Sequence, residues 1–314
     1  MLMAFFLRSL SGEADIPRIV DLVNTVDPEP ASIETFRERY CKAPPGGLSP
    51  IVAIDLTGQI AGYATISHAP FANCFWLRII VDPSKRHQGI GSRLYNSVLT
   101  IAQAHAVTQI ISEVRENCVE GLQFAQHRNF QITSHMQVSR LYVATFDESR
   151  FNGTVEAVAQ TGIRFFTLAD IAMTPEIQRK HYELHCDCAI DNPATADWRA
   201  PSFESYCQRV FQSPQFRADG HVIAADDDKW VGLSALEYYP HTRSMHNAFT
   251  CVHRAYRGRH IALALKLLTM RAVRASDVDY IYTNNDSTNI PILIINRKLG
   301  YRIEPGIYML SHFL

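Results

Sequence analysis

Two places in the chain bring together side chains that could do chemistry. The first is Arg86-His87-Gln88-Gly89-Ile90-Gly91, where a glycine-rich turn follows an apolar run and opens a helical pattern. At such a turn, unpaired backbone N–H groups and the helix dipole favour an anion. Gly89 lacks the Cβ that would block close approach of a phosphate, Gly91 lets the helix pack tightly, and Arg86 adds charge. The turn is therefore a candidate pyrophosphate cradle, and its plain alternative is a strand-to-helix connection. The spacing lacks the G-x-G-x-x-G pattern and following acidic residue of a dinucleotide oxidoreductase, so that class is set aside. The second place is His181, His185, Cys186 and Cys188. All four are zinc-ligand types, and the two histidines share a helix face. Cys-x-Cys is not the usual zinc grip, however, and no second ligand pair follows, so no metal is expected.

These residues need elements to position them. Ile60 to His68 and Phe75 to Val81 read as strands, and Ile90 to Ala104 is a helix with Ile90, Leu94, Val98 and Ile101 on one face. The same order recurs later. Val81 to Gly91 matches Val252 to Ala262 at a separation of 171 residues, and Arg128-Asn129-Phe130 matches Leu299-Gly300-Tyr301 at the same separation. Ile60 to Tyr63 matches Trp230 to Leu233 at 170. This is duplication. The second copy repeats the strands Trp230 to Tyr238 and Asn247 to Val252 and the helix Ile261 to Ala275, with an insertion at Asp191 to Ser202 bearing Pro193 and Pro201. Two domains are expected, 1–147 and 163–314, divided at Asp147 to Gly162. Each half reads as α/β, with strand, helices, antiparallel strands, then strand, helix, strand.

In the second copy the turn becomes Arg257-Gly258-Arg259-His260-Ile261-Ala262, with His260 in the place of Gly89. A bulky residue resists unusual φ values, so the change weakens the cradle. Two readings stay open: His260 contacts phosphate directly, or this copy has lost its affinity for the ligand.

Composition narrows the partners. With 30 Lys plus Arg against 31 Asp plus Glu, the net charge of −1 supplies no field for gripping nucleic acid or an acidic membrane, and a small-molecule partner fits better. No apolar run is long enough to span a bilayer, and Met1 to Leu7 reads as a first strand rather than a signal peptide. Seven cysteines scattered from Cys41 to Cys251 suit free thiols in a reducing cytoplasm.

The turn after Ile79-Ile80-Val81 resembles motif A of the GCN5-related N-acetyltransferase (GNAT) superfamily, Q/R-x-x-G-x-G/A. Thr283-Asn284-Asn285, Asn289-Ile290-Pro291 and Asn296 to Tyr301 resemble the T-x-N, N-x-P-M and N-x-x-L-G-F sequence of tandem GNAT proteins. The resemblance spans nearly the whole chain. It implies two tandem GNAT-like domains, each a mixed, mostly antiparallel twisted sheet flanked by helices, which use acetyl-CoA. Ile79, Ile80 and Val81 would then lie along the pantetheine arm, with the backbone of His87, Gln88, Gly89, Ile90, Gly91 and Ser92 on the pyrophosphate. Thr250, Cys251 and Val252, with Arg257 to Ala262, are their counterparts, and Asn289 would bond the coenzyme. Two fused copies would also mimic the dimer such domains form, so a monomeric pseudo-dimer is expected.

Acetyl transfer to an amine needs a base and an acid. The tyrosine acid of many GNAT enzymes falls at Ala125 in the first copy and Asn296 in the second. Glu113 and Glu237 are the candidate bases, with Tyr282 and Tyr238 as acids or substrate contacts; the sharper hypothesis is Glu237 with Tyr282. The resulting expectation is N-acetylation of an amine on a small molecule or peptide. The missing tyrosine and His260 motivate the alternative of a non-catalytic acetyl-CoA sensor or protein-interaction module.

Overall fold

The computed structural model describes residues 5–26, 32–40, 50–69, 73–191 and 200–314. They fall into two compact units, Met1–Thr133 with Tyr308–Leu314, and Ser134–Ile307. The first holds β1 (Phe5–Ser9), α1 (Ile16–Asn24), α2 (Ile33–Tyr40), β2 (Ile51–Asp55), β3 (Ile60–His68), β4 (Cys74–Val81), α3 (Ile90–Ala104), β5 (Gln109–Arg115) and α4 (Val119–Gln126). From β6 (Gln131–Tyr142) the chain builds the second unit, with α5 (Thr154–Ala159), β7 (Ile163–Thr167), α6 (Pro175–Ala189), α7 (Phe203–Val210), β8 (Phe216–Asp226) and β9 (Lys229–Tyr239). There follow β10 (Ser244–Val252), α8 (Ile261–Arg274), β11 (Tyr280–Asp286), α9 (Ile290–Leu299) and β12 (Arg302–Phe313).

The mixed, helix-flanked sheets expected of both copies are present. In the first unit β1 to β4 pair antiparallel in order, β5 joins β4 in parallel, and β12 lies beside β5. In the second, β7 to β10 are antiparallel, β11 joins β10 in parallel, and β6 closes the row antiparallel to β11. Each sheet buries both faces. Leu94, Val98 and Ala102 of α3 pack with Phe75 and Leu77, whereas Ile16, Ile19 and Val23 of α1 cover Val52, Ile54 and Tyr63 on another face. The second unit repeats this with Leu265, Met270 and Val273 of α8 in one core and Leu184 and Cys188 of α6 in another. The stretch 147–162 is structured: it contains α5, whose Val155 and Val158 are buried in the second unit's core. Residues 1–4 of the expected first strand, Pro193 of the insertion and Cys41 lie outside the described residues. No helix among the described residues is long and apolar enough to cross a membrane.

In each unit two parallel strands part midway. β4 follows β5 only from Cys74–Gln109 to Leu77–Ser112, and β10 follows β11 only from Ser244–Tyr280 to His246–Tyr282. A hydroxyl marks each parting: Ser112 Oγ donates to the Leu77 carbonyl (2.9 Å) and Thr283 Oγ1 to the Asn247 carbonyl (3.0 Å). Past that point Arg78–Val81 and Phe249–Val252 stay paired to β3 and β9 respectively. β10 also carries one residue more than β4, because its register against β9 shifts between Asn247 and Phe249. This bulge explains why the repeat slips from 170 to 171 residues.

Asn247 holds the bulge. Its Nδ2 donates to Ser234 Oγ (3.1 Å) and to the carbonyls of Ala235 (3.2 Å) and Phe249 (3.3 Å), while Oδ1 accepts from Thr250 Oγ1 (3.0 Å) and Lys266 Nζ (2.6 Å). Lys266 is only 2% exposed, and its ammonium lies 5.0 Å from the centre of the Tyr301 ring. Burial pulls its pKa down to about 7. A second buried polar row hydrogen-bonds Tyr206 to His181 Nδ1 (2.9 Å) and His181 Nε2 to His221 Nδ1 (3.1 Å). Burial holds His181 well below its usual value and His221 at about 4.

Both rows favour the neutral form in the folded chain, so the unfolded chain binds more protons and stability rises with pH across each window. For Lys266 that window runs from about 7 to 10.5. Denaturant midpoints are therefore expected to climb over this range, and the Lys266→Met protein is expected to fold without that climb. For His221 the window runs from 6.5 down to about 4. Stability is expected to fall between pH 6.5 and 5, while the ring resonance of His221 in the folded protein still reports the neutral form at pH 5.

Candidate functional site

The two glycine-bearing turns share one backbone path. Arg86 Nε donates to the Val81 carbonyl (3.4 Å), and Arg257 Nε donates to the Val252 carbonyl (3.1 Å). Each turn needs two left-handed residues: His87 (φ 61°) and Gly89 (φ 82°) in the first unit, Gly258 (φ 77°) and His260 (φ 60°) in the second. The second copy has therefore exchanged glycine and histidine between the same two positions. His260 accepts the conformation that its bulk was expected to resist. The first helical bonds run from Arg93 N to the Gly89 carbonyl (3.1 Å) and from Ala264 N to the His260 carbonyl (3.0 Å). The amides that precede them have no intrahelical acceptor, and in both copies this is the kind of helix start that can take an anion.

The surroundings of the turns differ. A Cβ on Gly91 would lie 3.1 Å from the Phe124 ring, which would have to shift slightly, whereas the second unit carries Ala262, with Ile295 in the place of Phe124. Ser92 Oγ is taken by Arg128 Nη2 (2.7 Å). In the first unit Glu120 of α4 meets Arg86 (3.0 Å) and His87 (3.4 Å), and the Arg86 hydrogen bond, then that of His87, holds its carboxyl below the usual range. Pro291 stands in the place of Glu120 in the second unit, and Asp191 instead pairs with Arg254 (3.1 Å) and Arg257 (2.7 Å).

Ile79–Val81 and Thr250–Val252 lie on the stretches that have parted from β5 and β11. Asn284 of β11 and Asn296 of α9 each bury an Oδ1 with no hydrogen-bond donor among the described residues, although Asn296 Nδ2 reaches Asn285 Oδ1 (2.8 Å). Buried acceptors left open in this way fit a ligand that carries amide N–H groups, as the pantetheine arm of coenzyme A does. Asn289 occupies the N-cap of α9 but makes no side-chain cap bond.

Across the mouth of the parted strands runs a row that sequence reasoning found only in part. Glu237 of β9, His246 of β10, Tyr282 of β11 and Arg140 of β6 sit directly opposite one another in successive ladders. Glu237 Oε2 accepts from the Tyr239 hydroxyl (3.0 Å) and bonds His246 Nδ1 (3.1 Å), and the imidazole stacks on Tyr282 at 4.7 Å between centroids. Burial pushes the Glu237 carboxyl up, but the His246 hydrogen bond and charge, with Tyr239, together hold it below its ordinary value. Tyr280, two residues along β11, lies 6.4 Å from Tyr282 and beneath the Arg140 guanidinium at 4.3 Å. Tyr238 points the other way, into the α8 core. The period-two pairs Glu237/Tyr239 and Tyr280/Tyr282 were the available signal; His246 and Arg140 had none without the register.

The first unit has no such row. Ser67, Trp76 and Ile111 occupy the same ladder positions. Glu113 of β5 is exposed, one residue beyond Ser112, and has no hydrogen-bond or ion-pair partner among the described residues. His181 is committed to Tyr206 and His221, and among the described residues no group of three or more His, Cys, Asp or Glu could hold a metal ion.

Residues 16–130 match the model of the Acetyltransferase (GNAT) family. Over nearly its whole length the chain shares its fold with a GCN5-related N-acetyltransferase from Sphaerobacter thermophilus (TM-score 0.76, 17% identity, 99% of this chain and 96% of that one). It likewise resembles a tandem GNAT protein from the clavulanic acid biosynthesis pathway (TM-score 0.76, 18% identity, 98% of each chain). A glucosamine N-acetyltransferase region of a fungal multi-domain β-N-acetylglucosaminidase gives a TM-score of 0.77 at 15% identity, covering 100% of this chain and 38% of that one. A search of curated proteins gives no match. Residues 16–130 thus match the GNAT family, and the chain as a whole shares the fold of tandem two-domain GNAT proteins.

Proposed function

We propose that this chain is an acetyl-CoA-dependent N-acetyltransferase acting on an amine of a small molecule or peptide, and that the second unit carries the chemistry. The observation behind this reading is the Glu237–His246–Tyr282 row, set where β10 leaves β11. Acetyl-CoA, when bound, supplies an acetyl group activated as a thioester. Phe249–Val252 hold its pantetheine arm, and the amides ahead of Ala264 hold its pyrophosphate.

Glu237 fixes His246 through Nδ1, which leaves Nε2 to take the proton from an acceptor ammonium. With the nitrogen's lone pair directed at the thioester carbonyl of bound acetyl-CoA, Tyr282 would give its proton to the sulfur as the C–S bond breaks and regain one from the nitrogen that becomes the amide. Tyr282 thus serves as the acid that Asn296 cannot supply. The first unit keeps the turn but has Ser67, Trp76 and Ile111 in the row, so it binds the coenzyme or supports the fold without transfer. Free thiols at all six described cysteines support a reducing, cytoplasmic setting.

A second reading, a non-catalytic acetyl-CoA sensor, draws on Asn296: this buried amide bonds Asn285 where the family resemblance places a tyrosine acid. Kinetics separate the two. His246→Ala and Glu237→Gln are expected to lower kcat by about 10²–10⁴ with little change in acetyl-CoA affinity. Full activity in the Glu237→Gln protein would contradict the assignment, and a wild-type protein that binds acetyl-CoA but acetylates no amine would favour the sensor.

A further inference from the structure

We infer that the acceptor is a primary amine carried on an aromatic ring, an arylalkylamine, bound across the Glu237–His246–Tyr282 row with its ring on Tyr280 and Tyr282. The inference rests on the acetyltransferase reading and extends it to the acceptor. Strand alternation puts the side chains of Glu237, Tyr239, His246, Tyr280, Tyr282 and Arg140 on one face, because Tyr238, Met245, Ile281 and Leu141, which alternate with them, belong to the opposite core. Tyr282 ties the rings together, at 4.7 Å from His246 and 6.4 Å from both Tyr239 and Tyr280. All of these rings are partly exposed.

The charges on this face select the ligand. Glu237 is 39% exposed, and its Oε2 already serves Tyr239 and His246, while Oε1 accepts no hydrogen bond among the described residues. One oxygen is therefore available to one ammonium. At the other end of the row Arg140 lies over Tyr280 and pairs with Glu304 at 3.6 Å. A polyamine would bring a second cation toward that guanidinium, where Glu304, the carboxylate at that end, already pairs with Arg140. An aminosugar has no aromatic ring to set against Tyr280 and Tyr282. Two strand intervals, about 10 Å, separate Glu237 from Tyr282. An ammonium on a short alkyl chain with one ring spans that interval.

Calorimetric titration of the full chain in excess coenzyme A, with tyramine, n-hexylamine and glucosamine as probes, tests this. Tyramine is expected to bind about ten-fold more tightly than either of the others, since two ring contacts contribute about 1.5 kcal/mol. Tyr280→Leu is expected to abolish most of that preference and Tyr280→Phe to keep it. Equal or tighter binding of n-hexylamine or glucosamine overturns the inference, as does a tyramine preference that survives Tyr280→Leu, or no amine binding at all. Adding acetyl-CoA to the same samples separates the two levels. Transfer to glucosamine or n-hexylamine without preference for tyramine overturns the acceptor class and leaves the acetyltransferase reading standing. Tyramine binding that Tyr280→Leu weakens, without transfer, keeps the aromatic-amine site and overturns the acetyltransferase reading, and with it the role of the amine as acceptor.

Discussion

The carboxamide of Asn247 is the contact on which the second unit's site depends. Five hydrogen bonds converge on this one side chain, from two strands and a helix, and they hold a bulge that a regular ladder would remove. On one side of the bulge His246 stays in step with Glu237 and Tyr282; on the other, Phe249–Val252 separate from β11 and present an open edge. A buried ammonium is costly unless it is well partnered. Burial lowers the pKa of Lys266, and among the described residues its ammonium has one hydrogen-bond acceptor, the Asn247 carboxamide, beside the face of the Tyr301 ring.

The duplicated turn shows how far backbone constraint tolerates sequence change. What the turn requires is a pair of left-handed residues followed by a helix start, and either copy meets that requirement with one glycine and one histidine in opposite order. The ladder positions at the parted strands obey no such constraint. There the copies diverge to Ser67–Trp76–Ile111 and Glu237–His246–Tyr282, and only the second set carries the carboxylate, imidazole and phenol on which the proposed acid–base role rests.

Much of the fold was legible in the sequence because its signals are local and periodic. The strand Ile60–His68 and the helix Ile90–Ala104 fall where a β-rich run and an apolar face put them, and the 171-residue repeat carried the same elements to the second copy. The site was legible only where chemistry and local pattern coincide, as at Gly89 and Glu237. His246 and Arg140 are single polar residues in strands, and they acquire meaning only from which residue lies opposite, a property of pairing that no local window contains. Asn247 was hidden for the same reason, since a bulge appears in the sequence only as one residue of slippage. His260 misled in the other direction: its bulk argued against a conformation that the flanking helix start imposes.

The central claim is that transfer occurs in the second unit, with its turn holding the donor. Acetyl-transfer rates of the Arg257→Glu and Arg86→Glu proteins, measured side by side on one amine at subsaturating acetyl-CoA, test it most directly. The account predicts that reversing the charge at Arg257 removes most of the transfer, while reversal at Arg86 costs far less. Transfer that survives Arg257→Glu and disappears in Arg86→Glu would place the chemistry in the first unit and contradict the account.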